Sequence, residues 1–455
     1  MPSLLVNNKR TMTLVIFLIV TFFNPDVYVI GQVEHRLTLQ DAIKLAFENN
    51  NLIKIARLRI EQQKHKAWQT KSLYFPRISI TGNYLYNGKP ARLIVPRGLL
   101  GTLPNGLALP AEDLVQTEVD NNVFEASASL EQPVTQLFKI NSGVKVARMD
   151  IGVAEAEFHK ARLDVKLAVE QLYFSLLIAE KKKRATALNL TMAQAEFNDA
   201  QNALDAGKIL KVDVIGLQAT VLEKEQELIR VQNEIEDFKF DLKELLGLQL
   251  DQKVALSEPN LEEQLPIGLL EKYLAQAILQ NPQLTAARFK VMKSDFAVQE
   301  ARREFIPDLA VFARHDIQDG VPILPHNTNL VGVVLKWNLF DFGERRAVIQ
   351  ERKSLHSQSE ENLKRLENKI SVQVEKSYRK LQRAVKMIQA AKKAQELRRE
   401  ELRLRSGQVE TGLTLSTEKT KAEAGLAKAE ADLLAAQLGY RLAFAELKQK
   451  IGSLE

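Results

Sequence analysis

Hydrophobic positions along the chain change period in the same way in each half. Leu363, Leu366, Ile370, Val374, Tyr378, Leu381, Val385 and Ile388 step by three and four. That spacing marks an amphipathic helix with one apolar stripe. Runs without proline and nearly without glycine extend from Asn141 to about Ala206 and from Gly343 to about Arg405. At 1.5 Å per residue each predicts a helix about 95–100 Å long. A turn at Gly207 or Gly412 and a return helix to Gly247 or Gly452 complete two helical hairpins, about 141–247 and 343–452.

Upstream of each hairpin the period drops to two. Ile78, Ile80, Tyr84 and Tyr86 alternate with Ser79, Thr81 and Asn83, and Phe124, Ala126, Ala128 and Leu130 with Glu125, Ser127, Ser129 and Glu131. In the second half Leu309, Val311 and Ala313 lead, and Val331, Val333, Leu335 and Trp337 alternate with Gly332, Lys336 and Asn338. Four strands are predicted, at about 77–87, 122–133, 308–316 and 329–339, paired as two hairpins. A pair of short helices precedes each set. The first opens at Thr38 with Asp41 in its first turn, and the pairs end at Phe75-Pro76 and Ile306-Pro307, where the residue before proline leaves the helical region.

The chain is one unit used twice. Residues 130–247 fall without a gap on 335–452 at an offset of 205, pairing Glu170, Tyr173, Gly207 and Gly247 with Glu375, Tyr378, Gly412 and Gly452. Upstream the offset is 231, pairing Asn50 and Pro76 with Asn281 and Pro307. The two offsets differ by 26, so the first copy carries about 26 extra residues between Pro76 and Leu130. The extra length falls in Asn87–Asn121, whose Pro96, Gly98, Gly101, Pro104, Gly106 and Pro110 predict a loop. The expected division is 32–252 for the first repeat and 253–455 for the second.

Composition narrows the setting. Lys9 and Arg10 precede an apolar run of 10 residues, Leu14 to Phe23, with a polar exit to Gly31. This predicts a secretory signal peptide over 1–31, cut near Gly31-Gln32, because the run is short for a membrane span of roughly 20 residues. Mean hydropathy is −0.18, too polar for a helical membrane protein. There is no cysteine, so disulfides, thiolate chemistry and sulfur-held metals are excluded. Net charge is +6, but the basic residues stand beside acids on helix faces, as in Glu180-Lys-Lys-Lys-Arg184. That is a solvated surface and not a nucleic-acid patch. The six histidines are scattered, and no nucleotide loop, metal pair or nucleophile elbow appears. Neither cofactor nor metal nor catalysis is expected.

Four strands cannot close a barrel, which takes about eight, and open sheet edges do not occur in lipid. A membrane role therefore needs several chains. Aromatic residues support it: Phe75, Phe305, Trp337, Phe340 and Phe342 cluster where strands meet helices, and Tyr84, Tyr86 and Phe124 at the far ends. Two such rows describe an interfacial girdle.

The ordered set of Leu37-Thr-Leu-Gln-Asp-Ala42, Asn50, Asn281, Phe75-Pro76, Ile306-Pro307, Gln132-Pro133, Leu339-Phe-Asp-Phe-Gly343 and Gly207-x5-Asp213 resembles the TolC family of outer-membrane efflux and secretion channels. The resemblance covers about residues 37–452. It implies a mainly α fold with a small β part and a homotrimer in outer-membrane lipid. Its strands would form one twelve-stranded transmembrane β-barrel, and its helices a periplasmic α-helical barrel. Such a duct is passive. It would meet a periplasmic adaptor protein and, through it, an inner-membrane transporter. The resemblance further implies that Gly207, Asp213, Gly412 and Glu418 form the tunnel tip and adaptor contact, with Lys421 where an acid is common in the family. The loop Asn87–Asn121 is expected on the cell exterior.

The alternative is a periplasmic adaptor, which also has long helical hairpins but would carry one of them beside a glycine-rich β domain.

Overall fold

The computed structural model describes residues 36–259 and 267–454. The signal-peptide expectation for residues 1–31 lies outside them. Elements run in the same order twice. The first set is α1 (Leu39–Asn49), α2 (Asn51–Ser72), β1 (Arg77–Tyr86), β2 (Arg92–Val95), β3 (Leu114–Glu118), β4 (Asn122–Pro133), α3 (Leu137–Asp205) and α4 (Lys211–Leu246). The second is α5 (Leu270–Gln280), α6 (Pro282–Arg303), β5 (Asp308–Asp319), β6 (Asn327–Lys336), α7 (Glu344–Glu410) and α8 (Ser416–Ile451).

Two differences from the sequence expectation stand out. β5 runs on to Asp319, while β6 starts at Asn327 and ends at Lys336, so Trp337 lies just past its strand. The stretch 87–121 is also not wholly loop, since β2 and β3 pair antiparallel within it. Leu93-Ile-Val95 and Leu114-Val115 are short β-forming runs that the surrounding proline and glycine hid.

The remaining four strands form one antiparallel sheet in the order β1-β4-β5-β6. Thr135 ties the two halves of this sheet: its hydroxyl donates to the Pro307 carbonyl at 2.6 Å and accepts from the Leu309 N–H at 2.7 Å.

α3 has 69 residues and α7 has 67, about 104 and about 100 Å at 1.5 Å per residue. The return helices α4 and α8 have 36 residues each and cover only about 54 Å. The rest of the way to the sheet is made by α2 and α6, 22 residues each, about 33 Å. So α3 packs against α4 and α2 on one side and α8 and α6 on the other, and α7 against α8 and α6.

Two apolar cores form where these pieces join. The first gathers Ala42, Ala46, Ile53, Val169, Tyr173, Leu176, Leu242 and Leu246. The second gathers Ala277, Leu284, Ile370, Val374, Leu381, Leu447 and Ile451, so the α7 stripe read from the sequence is the buried one. The Tyr173 hydroxyl reaches the carbonyls of Leu37 and Ser257 at 2.9 and 2.5 Å. In the second copy Tyr378 reaches that of Gly268 at 3.3 Å. Thr38 caps α1 by accepting from the Asp41 N–H.

Candidate functional site

The sheet presents two different faces, because strand partners directly opposite share a side. Ile78, Leu130, Ala313 and Val331 form one cross-strand row, and Val311 pairs with Val333 and Leu309 with Leu335 on the same face. Most of this face is open: Ile80, also on it, is 79% and Val331 81% exposed, while Leu309 and Ala313 are half-buried. The reverse face carries Ser79, Thr81, Ser127, Ser129, Arg314, Asp316 and Thr328, interspersed with Leu85, Phe312, Leu330 and Val334. Ser79 and Ser129 share a hydrogen bond of 2.7 Å, and Arg314 pairs with Asp316 at 2.9 Å. An apolar face standing in the open and a polar face bonded to itself is the inside-out pattern of a barrel wall between lipid and water. Midway along the apolar face His315 and Asn329 stand opposite one another and hydrogen-bond at 2.8 Å.

Aromatic residues mark both ends of these strands. Tyr84 sits opposite Phe124, its hydroxyl donating to Asn122 at 2.7 Å, and Tyr86 is two pairs further on, opposite Asn122. At the helix end Phe75, Phe305, Trp337, Phe340 and Phe342 are all exposed. Phe342 reaches 92% exposure at a backbone φ of +49°, a left-handed conformation that is strained for a bulky residue. Its ring stacks edge-on against Phe340 at 4.6 Å, and the Arg345 guanidinium lies 4.7 Å over Phe305.

The opposite ends of the long helices are two equivalent turns. Gly207 and Gly412 both adopt positive φ, +69° and +72°. In each, the next residue's N–H reaches back to the last helical turn, Lys208 to Ala203 and Leu413 to Gln408, both at 2.8 Å. That is a glycine-dependent helix stop made twice. Asp213 and Glu418 occupy the third position of α4 and α8, where their backbone N–H groups donate to Leu210 and Leu415. The Asp213 carboxylate accepts from the Leu210 N–H at 3.1 Å, closing the first turn. Glu418 instead lies 3.6 Å from Arg405 on the facing helix. Sequence reasoning missed what surrounds them: Leu210, Val212, Ile215, Leu413 and Leu415 are all exposed. The signal was available, since apolar residues rarely flank a surface turn without a partner.

Among the described residues no group of histidines and carboxylates could hold a metal. No described helix is long and apolar enough to cross a membrane. The ordered repeat, the two-faced sheet and the paired tips converge with a match to the family model for outer membrane efflux proteins, over residues 42–248 and 273–453.

The chain belongs to the outer membrane efflux protein family. It is similar to the alkaline protease secretion protein AprF of Pseudomonas aeruginosa, 22% identical over 347 residues, covering 74% of this chain and 71% of AprF. Among solved structures it resembles the Campylobacter jejuni CmeC outer membrane channel, with a TM-score of 0.71 at 16% identity, covering 91% and 85% of the two chains. It also resembles the open state of the Neisseria gonorrhoeae MtrE channel, with a TM-score of 0.69 at 17% identity and coverage of 91% and 89%.

This family member is an outer-membrane exit duct of the efflux and secretion type, with its helical part in the periplasm. It is not an enzyme. As such a duct it works with an adaptor and an inner-membrane transporter. The adaptor alternative does not stand.

Proposed function

We propose that three copies of the chain close head to tail into one tube, a twelve-stranded barrel continued by a helical tunnel. The observation that carries this is the pair of open edges. The sheet ends at β1 and β6, and the helical wall ends at α2 and α4 on one side and α7 on the other. Each edge keeps large apolar side chains exposed: Leu58, Leu222 and Ile229 on one side, Val372, Met387 and Leu397 on the other. The two edges differ, so the contact is head to tail, and such contacts form rings when the rotation closes. Two copies would supply about eight strands, a barrel whose interior side chains fill; three leave room for a lumen.

In that tube the apolar face of the sheet meets outer-membrane lipid. Phe75, Phe305, Trp337, Phe340 and Phe342 sit at one interface, and Tyr84 and Tyr86 at the other. Gly207, Asp213, Gly412 and Glu418 ring the far opening, and the exposed leucines beside them are the surface for the periplasmic adaptor. The strain accepted at Phe342 supports the girdle, since it holds an aromatic ring 92% exposed, with Phe340 beside it. Cargo passes by diffusion, with energy supplied at the inner membrane. Because AprF is named for protease secretion and the solved relatives are named as channels, the cargo class stays with the partner pump and not with this chain.

The protomer count of the detergent-extracted particle, by light scattering corrected for bound detergent, tests the closure. Three chains are expected. A monomer or dimer overturns the tube.

A further inference from the structure

We propose that the arm 87–121 is a self-association surface by which three copies of this chain meet over the outer mouth of the barrel. This rests on the trimeric tube above.

The arm is folded, not slack. Beyond β2 and β3 its backbone goes on pairing with itself: Leu100 N–H donates to the Leu109 carbonyl at 2.9 Å, Leu109 to Gly101 at 2.8 Å and Leu103 to Leu107 at 2.8 Å. Arg92 pairs with Glu118 at 2.7 Å, and the Arg97 N–H donates to Asp113 at 2.7 Å. Its base is clamped by Asn87 N–H to the Asn121 carbonyl at 2.6 Å and by Asp120 N–H to the Gly320 carbonyl at 2.7 Å. Gly320 leaves no slack there, because a Cβ on it would lie 2.2 Å from the Asn122 carbonyl oxygen.

With much of its backbone paired internally, the arm offers leucines outward. Leu93, Leu99, Leu100, Leu103, Leu107 and Leu114 are all exposed. An apolar surface of this kind on an otherwise hydrogen-bonded element marks an interaction face. Three considerations select another copy as the occupant. The arm grows from β1, the edge strand that faces the neighbouring copy. The two legs of the arm, 87–95 and 114–121, extend for about eight residues before the tip folds, up to roughly 25 Å, whereas a twelve-stranded barrel has a radius on the order of 12 Å, so each arm is long enough to reach the axis. Finally, Lys89, Arg92 and Arg97 are set against Glu112, Asp113, Glu118 and Asp120. That slightly acidic balance disfavours an anionic lipid surface but not contact between identical arms.

The chain's lack of cysteine gives a clean test. Leu100→Cys and, separately, Leu103→Cys change one exposed side chain each, in the full-length particle reconstituted at low density. After mild oxidation, covalent dimers should become the main species on a non-reducing gel, leaving one chain of each trimer unpaired. A fluorophore on the same cysteine should not be quenched by brominated lipid. Lipid quenching without dimers would assign the arm to the membrane surface and overturn the proposal. Neither dimers nor quenching, at both positions, would overturn it as well. The protomer count of the same sample separates the two failures, because a trimer without cross-links sinks only the arm contact.

Discussion

The side-chain amide of Asn50 donates to the backbone carbonyl of Leu245 at 2.9 Å, while its oxygen accepts the Leu52 N–H at 2.9 Å. The same two bonds recur in the second copy, from Asn281 to the Lys450 carbonyl at 2.8 Å and from the Gln283 N–H at 2.8 Å. Each asparagine therefore starts one helix and satisfies the end of another. This is the joint at which α2 takes over from α4, and α6 from α8, so that two short helices match the length of one long one.

Replacing Asn50 by alanine removes a cap and leaves the part-buried Leu245 carbonyl without its donor. The cap is worth about 0.5–2 kcal/mol and the orphaned carbonyl up to about 1–3 kcal/mol. Asn50→Ser keeps a short side-chain acceptor able to cap α2 and loses the donor to Leu245 without burying a charge against that carbonyl. Thermal melting of the extracted particle should rank native above Asn50→Ser above Asn50→Ala. Equal melting of all three would show that the joint is held by apolar packing alone.

Four glycines with positive φ should separate into two classes. Gly247 and Gly452 end α4 and α8 against the joint, where a Cβ would lie 2.8 Å from Asn49 Cβ and 2.6 Å from the Gln280 carbonyl oxygen respectively. Gly207 and Gly412 at the tips have nothing within 4 Å. Alanine at a tip should cost only the left-handed conformation, about 1–2 kcal/mol. Alanine at 247 or 452 adds a backbone clash and should lower the yield of folded particle as well as its melting temperature. Similar losses at all four positions would contradict the close approach.

Much of this was legible because the repeat is written in types that backbone geometry demands. Gly207, Gly247, Gly412 and Gly452 recur where a helix must stop in the left-handed region, and Asn50 and Asn281 where one must start. Alternation gave the strands to within a few residues, since a face exposed to lipid still repeats every second position. What escaped was long-range or local in another sense. The ribbon β2–β3 is too short for its alternation to outweigh the prolines around it. Asp213, three residues past Leu210 at a helix start, also reads as a cap, and its carboxylate does accept the Leu210 N–H; no pattern along the chain announced that Arg405 stands beside Glu418.

Glu170 should make stability depend on pH. It is 8% exposed and shares a cavity of about 200 Å³ with Lys166, Arg441 and Lys448. Burial pushes its carboxyl from the ordinary 4.5 up to about 7, against the opposing pull of Lys166. The native state then holds a proton that the unfolded chain has lost, so this contribution to stability is complete below about 4.5 and disappears as pH rises through about 7. The melting temperature should fall between about pH 5 and about pH 8, and Glu170→Gln should flatten that part of the curve. A native profile identical to that of Glu170→Gln would mean the carboxyl is already ionised among its basic neighbours.

At the tips, charge and capping can be pulled apart. Asp213→Asn keeps an oxygen for the Leu210 N–H while removing the charge, and Glu418→Gln likewise removes charge at the equivalent turn. If the two carboxylates of each copy form a ring at the opening, their field concentrates cations there. The double variant should move the reversal potential in a salt gradient toward zero. Arg405→Ala should act in the opposite sense, because it takes away the cation 3.6 Å from Glu418. Stability should change little, since pairs this exposed contribute about 0–1 kcal/mol. Unaltered selectivity in both variants would leave Asp213 as a helix cap and Glu418 as half of a surface ion pair, with Lys421 one turn further on enough to cancel what field remains.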